Sequence, residues 1–299
     1  MNKFIKPLCA VLSLTLLCSC TKQEVKPEPK ISETQTQTET VTQFGEPETS
    51  VAPEPMRTND KKSHSYGVAK NGVANEISIN AQKYFESNNF KAFCLDTKSQ
   101  NKVLYLTFDC GYENGYTSKI LDVLKEKNVN AAFFCTLPQV KENPDLIKRM
   151  IDEGHIVGNH SVTHPSFAEI STEQIKEEVL GMDEFLRENF NYSEPYFRFP
   201  KGEYNENALN VIGSLGYTSV FWSLAYVDWD LNKQKGADFA YETVVSRLHP
   251  GAVILLHSVS PDNAKALARI IDKAKEDGYE FCSLRDYKNW QIFSIIIPD

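Results

Sequence analysis

Five short stretches of this chain carry side chains that could do chemistry together. Asp109 ends the apolar run Val103-Leu104-Tyr105-Leu106-Thr107-Phe108 and precedes Cys110-Gly111-Tyr112-Glu113-Asn114-Gly115, so a carboxylate stands where a buried strand stops. His160 and His164 are spaced i and i+4, which puts two imidazoles on one side of a helical turn, where they can grip one cation of the kind zinc exemplifies. Asn159 and Ser161 beside them equally suit a capping turn. Arg198 closes a further apolar stretch before Pro200-Lys201-Gly202. A guanidinium there can hold a carboxylate through two parallel bonds, although an arginine in a Pro-Gly loop is more often structural. The N–H after Pro200, that of Lys201, can serve as an oxyanion donor. Asp228 lies among the rings of Trp222, Tyr226 and Trp229; aromatic faces at a rim suit a sugar, and core packing is the plainer alternative. His257 ends Val253-Ile254-Leu255-Leu256 and alone would be a core histidine. Opposite Asp109 it becomes a proton carrier, and the set then suits metal-assisted hydrolysis.

For these residues to meet, one scaffold must bring five strand ends to a common face. From Val103 onward short apolar runs alternate with helical patterns, which implies a parallel sheet with helical crossovers. The expected strands are 103–108, 131–135, 156–158, 197–198, 219–222, 253–257 and 280–283, with helices at 116–127, 144–153, 172–190, 205–215, 237–249 and 262–277 between them. Ser171 and Gln174 form a capping box ahead of the third helix. The fold class read from this alternation is α/β, a distorted (β/α) barrel of about seven strands with outer helices, in which the carboxyl ends of the strands share one face.

The ends of the chain differ from its middle. Lys3 and Lys6 precede an apolar run from Leu8 to Leu17, too short to span a bilayer and suited to export. Leu17-Cys18-Ser19-Cys20 resembles a bacterial lipobox, with Cys20 as the lipidated residue, so residues 1–20 read as a lipoprotein signal peptide. Residues 21–65 are Thr, Gln, Glu, Pro and Lys with hardly an aromatic, a disordered polar linker of on the order of 150 Å when stretched. Residues 66–299 remain for the catalytic domain. The net charge of -8 argues against nucleic acid as a partner. Cys94, Cys110, Cys135 and Cys282 are too few for a disulfide scaffold; Cys135 and Cys282 read as small hydrophobes, and only Cys110 stands at a site.

The order of the five motifs over about residues 103–283 resembles the polysaccharide deacetylases of carbohydrate esterase family four, the NodB homology domain. The resemblance implies Asp109 as general base, His160 and His164 as zinc ligands, Arg198 as orienter of the base, His257 as general acid and Asp228 as its partner. The Lys201 N–H would share the oxyanion with the metal, Trp229 and Leu255 would wall a pocket for the acetyl methyl, and Tyr112 would join the substrate site. Two positions depart from the pattern. Cys110 stands where the family carries its third metal ligand, an aspartate, and either supplies a thiolate or is inert; Ala225 replaces an acid. The Asp109–Thr117 and Trp222–Trp229 stretches resemble the delta-lactam-biosynthetic de-N-acetylases, which deacetylate N-acetylmuramic acid in spore-cortex peptidoglycan. The implied protein is an exported, lipid-anchored, monomeric enzyme at the outer face of the cytoplasmic membrane or in the forespore intermembrane space, with peptidoglycan glycan strands as its partner and Lys201 and Arg198 as cations for a lactyl carboxylate. A deacetylase of N-acetylglucosamine in vegetative peptidoglycan or chitin oligosaccharides fits the same residues. So does a catalytically silent sugar-binding module, although it has no need of all of them.

Overall fold

The computed structural model describes residues 59–287. The expected lipidation site Cys20, residues 21–58 of the expected linker and everything from residue 288 lie outside the described residues. In chain order the strands are β1 (Lys62–Ser63), β2 (Ala92–Phe93), β3 (Val103–Cys110), β4 (Ala132–Cys135), β5 (Ile156–Asn159), β6 (Tyr196–Phe197), β7 (Glu203–Tyr204), β8 (Thr218–Val220), β9 (Ala252–His257) and β10 (Glu280–Phe281). The helices are α1 (Glu76–Ser87), α2 (Thr117–Lys127), α3 (Leu137–Glu142), α4 (Pro144–Asp152), α5 (Thr172–Phe190), α6 (Glu206–Ser214), α7 (Ala237–Val245) and α8 (Pro261–Glu276).

The long apolar runs of β3 and β9 form the spine. They pair in parallel from Leu104↔Ala252 to Asp109↔His257, so the register itself sets the two chemical residues side by side. The sheet continues β3–β4–β5–β6–β8–β2, all parallel, with β10 beside the start of β3. Bridges from Leu95 to Ala252 and from Leu224 to Ile254 tie the far edge back to β9, which curls the sheet into a nearly closed barrel. Each of the seven expected strands overlaps an observed one. β2 and the antiparallel β1–β7 pair escape the sequence pattern because two residues have no period.

Alternation along β3 divides the protein into layers. Leu104, Leu106, Phe108 and Cys110 pack outward against Ile120, Leu124, Leu267 and Ile270 of α2 and α8. Val103 and Tyr105 point inward with Phe134, Ile156, Val220 and Val253. Asp109, on that inward parity, therefore opens at the carboxyl end of the barrel interior. The helices are fastened at their starts: Ser171 and Gln174 exchange the expected capping bonds, and Ser260 caps α8 with Pro261 at its first position.

The expected linker ends too late. β1 pairs Lys62 with Tyr204 and Ser63 with Glu203, and His64 is buried, so the folded body begins before Tyr66. Polar composition does not make a segment a tether when its backbone bonds are met by an edge strand.

Candidate active site

Asp109 lies on the floor of a cavity of about 520 Å³ at the strand ends, with the fully buried Arg198 behind it. Arg198, fully buried immediately after β6, donates from Nη1 to Asp109 Oδ1 and to Thr107 Oγ1, both at 2.8 Å. Its Nε and Nη2 go to the carbonyls of Val220 and Phe221, and its plane lies 4.2 Å from the Phe134 ring centroid. The expected two-bond clasp is thus a single bond, because strand-end carbonyls take the other donors. That leaves Asp109 Oδ2 turned to His160 Nε2 at 3.6 Å. Burial pushes the Asp109 carboxyl up, but Arg198, with His160 and His257, outweighs it and holds the group below the ordinary carboxylate range. Asp109 is therefore an ionised acceptor with one oxygen free.

The two histidines of the second motif meet differently from the expectation. Residues 160–164 are a loop, not a helical turn, with Ser161 at φ 73° and His164 at φ 60°. Asn159 Oδ1 accepts from Ser161 N, Ser161 Oγ accepts from His164 N, and Glu178 of α5 accepts from the N–H groups of Val162 and Thr163. The rings meet edge to face, 4.9 Å apart. His160 Nδ1 donates to the Arg198 carbonyl at 2.8 Å, which leaves Nε2 unprotonated toward Asp109. Burial pushes His160 down to about 4 and lowers His164 as well, so both are neutral bases at neutral pH.

Cys110 does not join them. One residue on from Asp109 in the same strand, it faces the outer layer beside Cys135, whose thiol is held far from ionisation by Cys110 first and by burial second. Among the described residues no three His, Cys, Asp or Glu side chains form a metal-holding cluster. Two neutral imidazoles on one cavity wall fit a divalent cation whose other positions go to water or substrate; they do not make a closed structural site.

Across the floor, His257 Nδ1 donates to Asp228 Oδ1 at 2.7 Å and its backbone N–H to Oδ2 at 2.8 Å. Burial opposes charge on the ring, yet Asp228 and Asp109 raise His257 above its ordinary value, leaving Nε2 as a proton donor toward the cavity. Asp228 is itself buried and takes a further bond from Asn263 of α8, which in turn accepts from Tyr226.

Residues 96–220 match the polysaccharide deacetylase family. Over 198 residues the chain is 47% identical to the peptidoglycan-N-acetylmuramic acid deacetylase PdaA of Bacillus subtilis, covering 66% of this chain and 75% of that one. The chain belongs to the polysaccharide deacetylase family. An uncharacterized 30.6 kDa protein of Geobacillus stearothermophilus is 50% identical over 200 residues, 67% of this chain and 75% of that one. The solved structure of Bacillus subtilis PdaA, a family 4 carbohydrate esterase, superposes with a TM-score of 0.74 at 41% identity, covering 78% of this chain and 99% of that one.

The site opens at the carboxyl ends of a curled parallel sheet, and the chain is a hydrolase. Leu255 is walled by Trp222 and Ala225 with Tyr66 packed against them, while Trp229 stands at the rim, half exposed, its ring 5.3 Å from that of His257. Tyr112 lines the rim as well, and Lys201 reaches the cavity from a turn at φ 58°. Sequence reasoning gave no role to Thr107, Glu178 or Asn263, and it missed His64 and Tyr66 altogether. The signal for the last two is compositional: they are the first histidine and the first tyrosine of the chain, directly after a segment poor in aromatics.

Proposed function

We propose that this deacetylase removes the acetyl group from N-acetylmuramic acid in peptidoglycan. The observation that carries the reading is the convergence of an ionised Asp109 and a proton-bearing His257 on one cavity, side by side in register. Water enters between them. Asp109 takes its proton through Oδ2 while Oδ1 stays on Arg198, and His257 Nε2 delivers a proton to the amide nitrogen as the carbon–nitrogen bond breaks. Acetate and a free amino sugar leave. A divalent cation, zinc by its ligand type, would be held by His160 and His164 and would supply Lewis acidity at the acetyl oxygen. The rings of Tyr112 and Trp229 at the rim suit a glycan strand.

The same reading places the enzyme in muramic delta-lactam formation of the spore cortex, exported and lipid-anchored through Cys20. Its substrate there is muramic acid already stripped of peptide, whose lactyl carboxylate calls for a cation. Lys201 fills that role, since Arg198 is fully committed to Asp109, Thr107 and two carbonyls. Acetate release from peptide-free and peptide-bearing glycan strands, with chelator and with zinc restored, tests the reading: release confined to peptide-free strands is expected, and preference for N-acetylglucosamine would replace it. Exchange of Lys201 for Ala is expected to slow turnover of muramic acid roughly tenfold, about 1.4 kcal/mol, and to spare the analogue without its lactyl group. Equal losses on the two would reject Lys201 as the carboxylate's partner.

A further inference from the structure

Residues 60–66 precede the family-matched segment, which starts at 96, and by composition all but Tyr66 read as the end of a tether. Their placement is nonetheless fixed several times over. β1 pairs with β7, and the His64 N–H donates to the Gly202 carbonyl at 2.8 Å. The His64 ring bonds the Trp222 carbonyl at 2.7 Å and lies between Phe221 and the edge of Trp222, with centroids 4.7 and 5.0 Å away. The turn it grips holds two successive residues at positive φ, Lys201 at 58° and Gly202 at 66°. For lysine that conformation persists only where the surroundings impose it. A Cβ on Gly202 would stand 2.8 Å from the Trp222 ring and 3.1 Å from the His64 carbonyl, so turn, indole and strap are packed to contact.

The strap then continues into the cavity. Tyr66 packs on Trp222, Ala225 and Leu255, and all four line the cavity together with Asp109 and His257. Leu255 precedes His257 by two residues on the same face of β9, so this apolar nook lies one pleat, roughly 7 Å, from the proton donor. It offers a small acyl chain a place beside the reacting carbonyl, and Tyr66 is the wall supplied from outside the barrel.

We propose that residues 60–66 complete the active-site pocket and that Tyr66 determines the size of acyl group it accepts. The proposal rests on the deacetylase reading above. Full-length wild type and the variants Y66A, Y66V and Y66F are compared on N-acetyl and N-propionyl forms of the same glycan, with acetate and propionate quantified and folding followed by thermal unfolding. The extra methylene is expected to cost wild type at least about tenfold in kcat/KM. Y66A and Y66V should recover most of that ratio, and Y66F, which keeps the ring, should leave it unchanged. If wild type releases acetate but both trimmed variants lose the two substrates by the same factor, the assignment of Tyr66 is overturned while the deacetylase reading stands. If wild type releases neither acid under any condition, both fall together.

Discussion

His160 and His257 flank the same carboxylate from two sides of one cavity, and they behave oppositely. Burial drives His160 down to about 4, whereas His257 is raised despite its burial. What differs is the partner of Nδ1: the Arg198 carbonyl for His160, the Asp228 carboxylate for His257. A neutral acceptor fixes the tautomer and leaves a base that can ligate, while a charged acceptor stabilises the imidazolium and makes an acid. Identical side chains at the ends of β5 and β9, with β3 and β4 between them, are thus given opposite electrostatic settings by one atom on their far side.

Asp109 is common to both halves, so its removal should have the largest effect. Asp109→Asn is expected to lower kcat/KM by roughly 10³- to 10⁴-fold, the full worth of a general base. It also strands Arg198 in the interior without a countercharge, a loss of about 3–5 kcal/mol in stability. Acetate release and thermal unfolding on the same preparation separate the two. A variant that kept its activity would end the case for Asp109 as base.

The next break falls on the acid half. Because the His257 value is raised above the ordinary 6.5, the ring is charged below the raised value and empties above it, so activity should fall on the alkaline side at a pH above 6.5. Asp228→Asn removes the charge that raises it. The alkaline limb should then move toward acid, with activity at neutral pH down about 100-fold. A limb that stays in place would show that the Nδ1 partner does not set the contrast.

The metal half should respond to a different reagent. Chelation is expected to remove activity reversibly, with zinc restoring it in wild type but not in His164→Gln. Cys110→Ala should respond to chelator and zinc as wild type does, because its side chain faces the outer layer. Chelator resistance in wild type would leave His160 and His164 without their assigned role.

Much of this was legible in the sequence wherever a polar residue ended a long apolar run. Asp109 and His257 stand at the ends of the eight-residue β3 and the six-residue β9, and parallel pairing brought them together. Of the two readings of Cys110, a thiolate ligand or an inert thiol, the strand favours the second, because adjacency in sequence is opposition in a strand. The loop at 160–164 was misread as helical because residue type does not reveal the positive φ of Ser161 and His164. The strap and β2 were invisible for a simpler reason: two residues carry no period, and only their pairing partners define them.

The smallest effect tests whether charge or orientation makes His257 an acid. Asn263 is buried, donates to Asp228 Oδ2 and is itself oriented by the Tyr226 hydroxyl. Asn263→Leu keeps the number and branching of its side-chain heavy atoms and removes that bond while leaving the Asp228 charge and its contact with Nδ1. If charge dominates, the alkaline limb should stay where it is in wild type. The rate should then fall only roughly 10-fold, less than the ~100-fold that a full 1 Å misplacement costs. If the limb instead moves as far as in Asp228→Asn, the carboxylate acts only when Asn263 aims it. The difference between His160 and His257 would then rest on the helix that carries Asn263 and not on Asp228 alone.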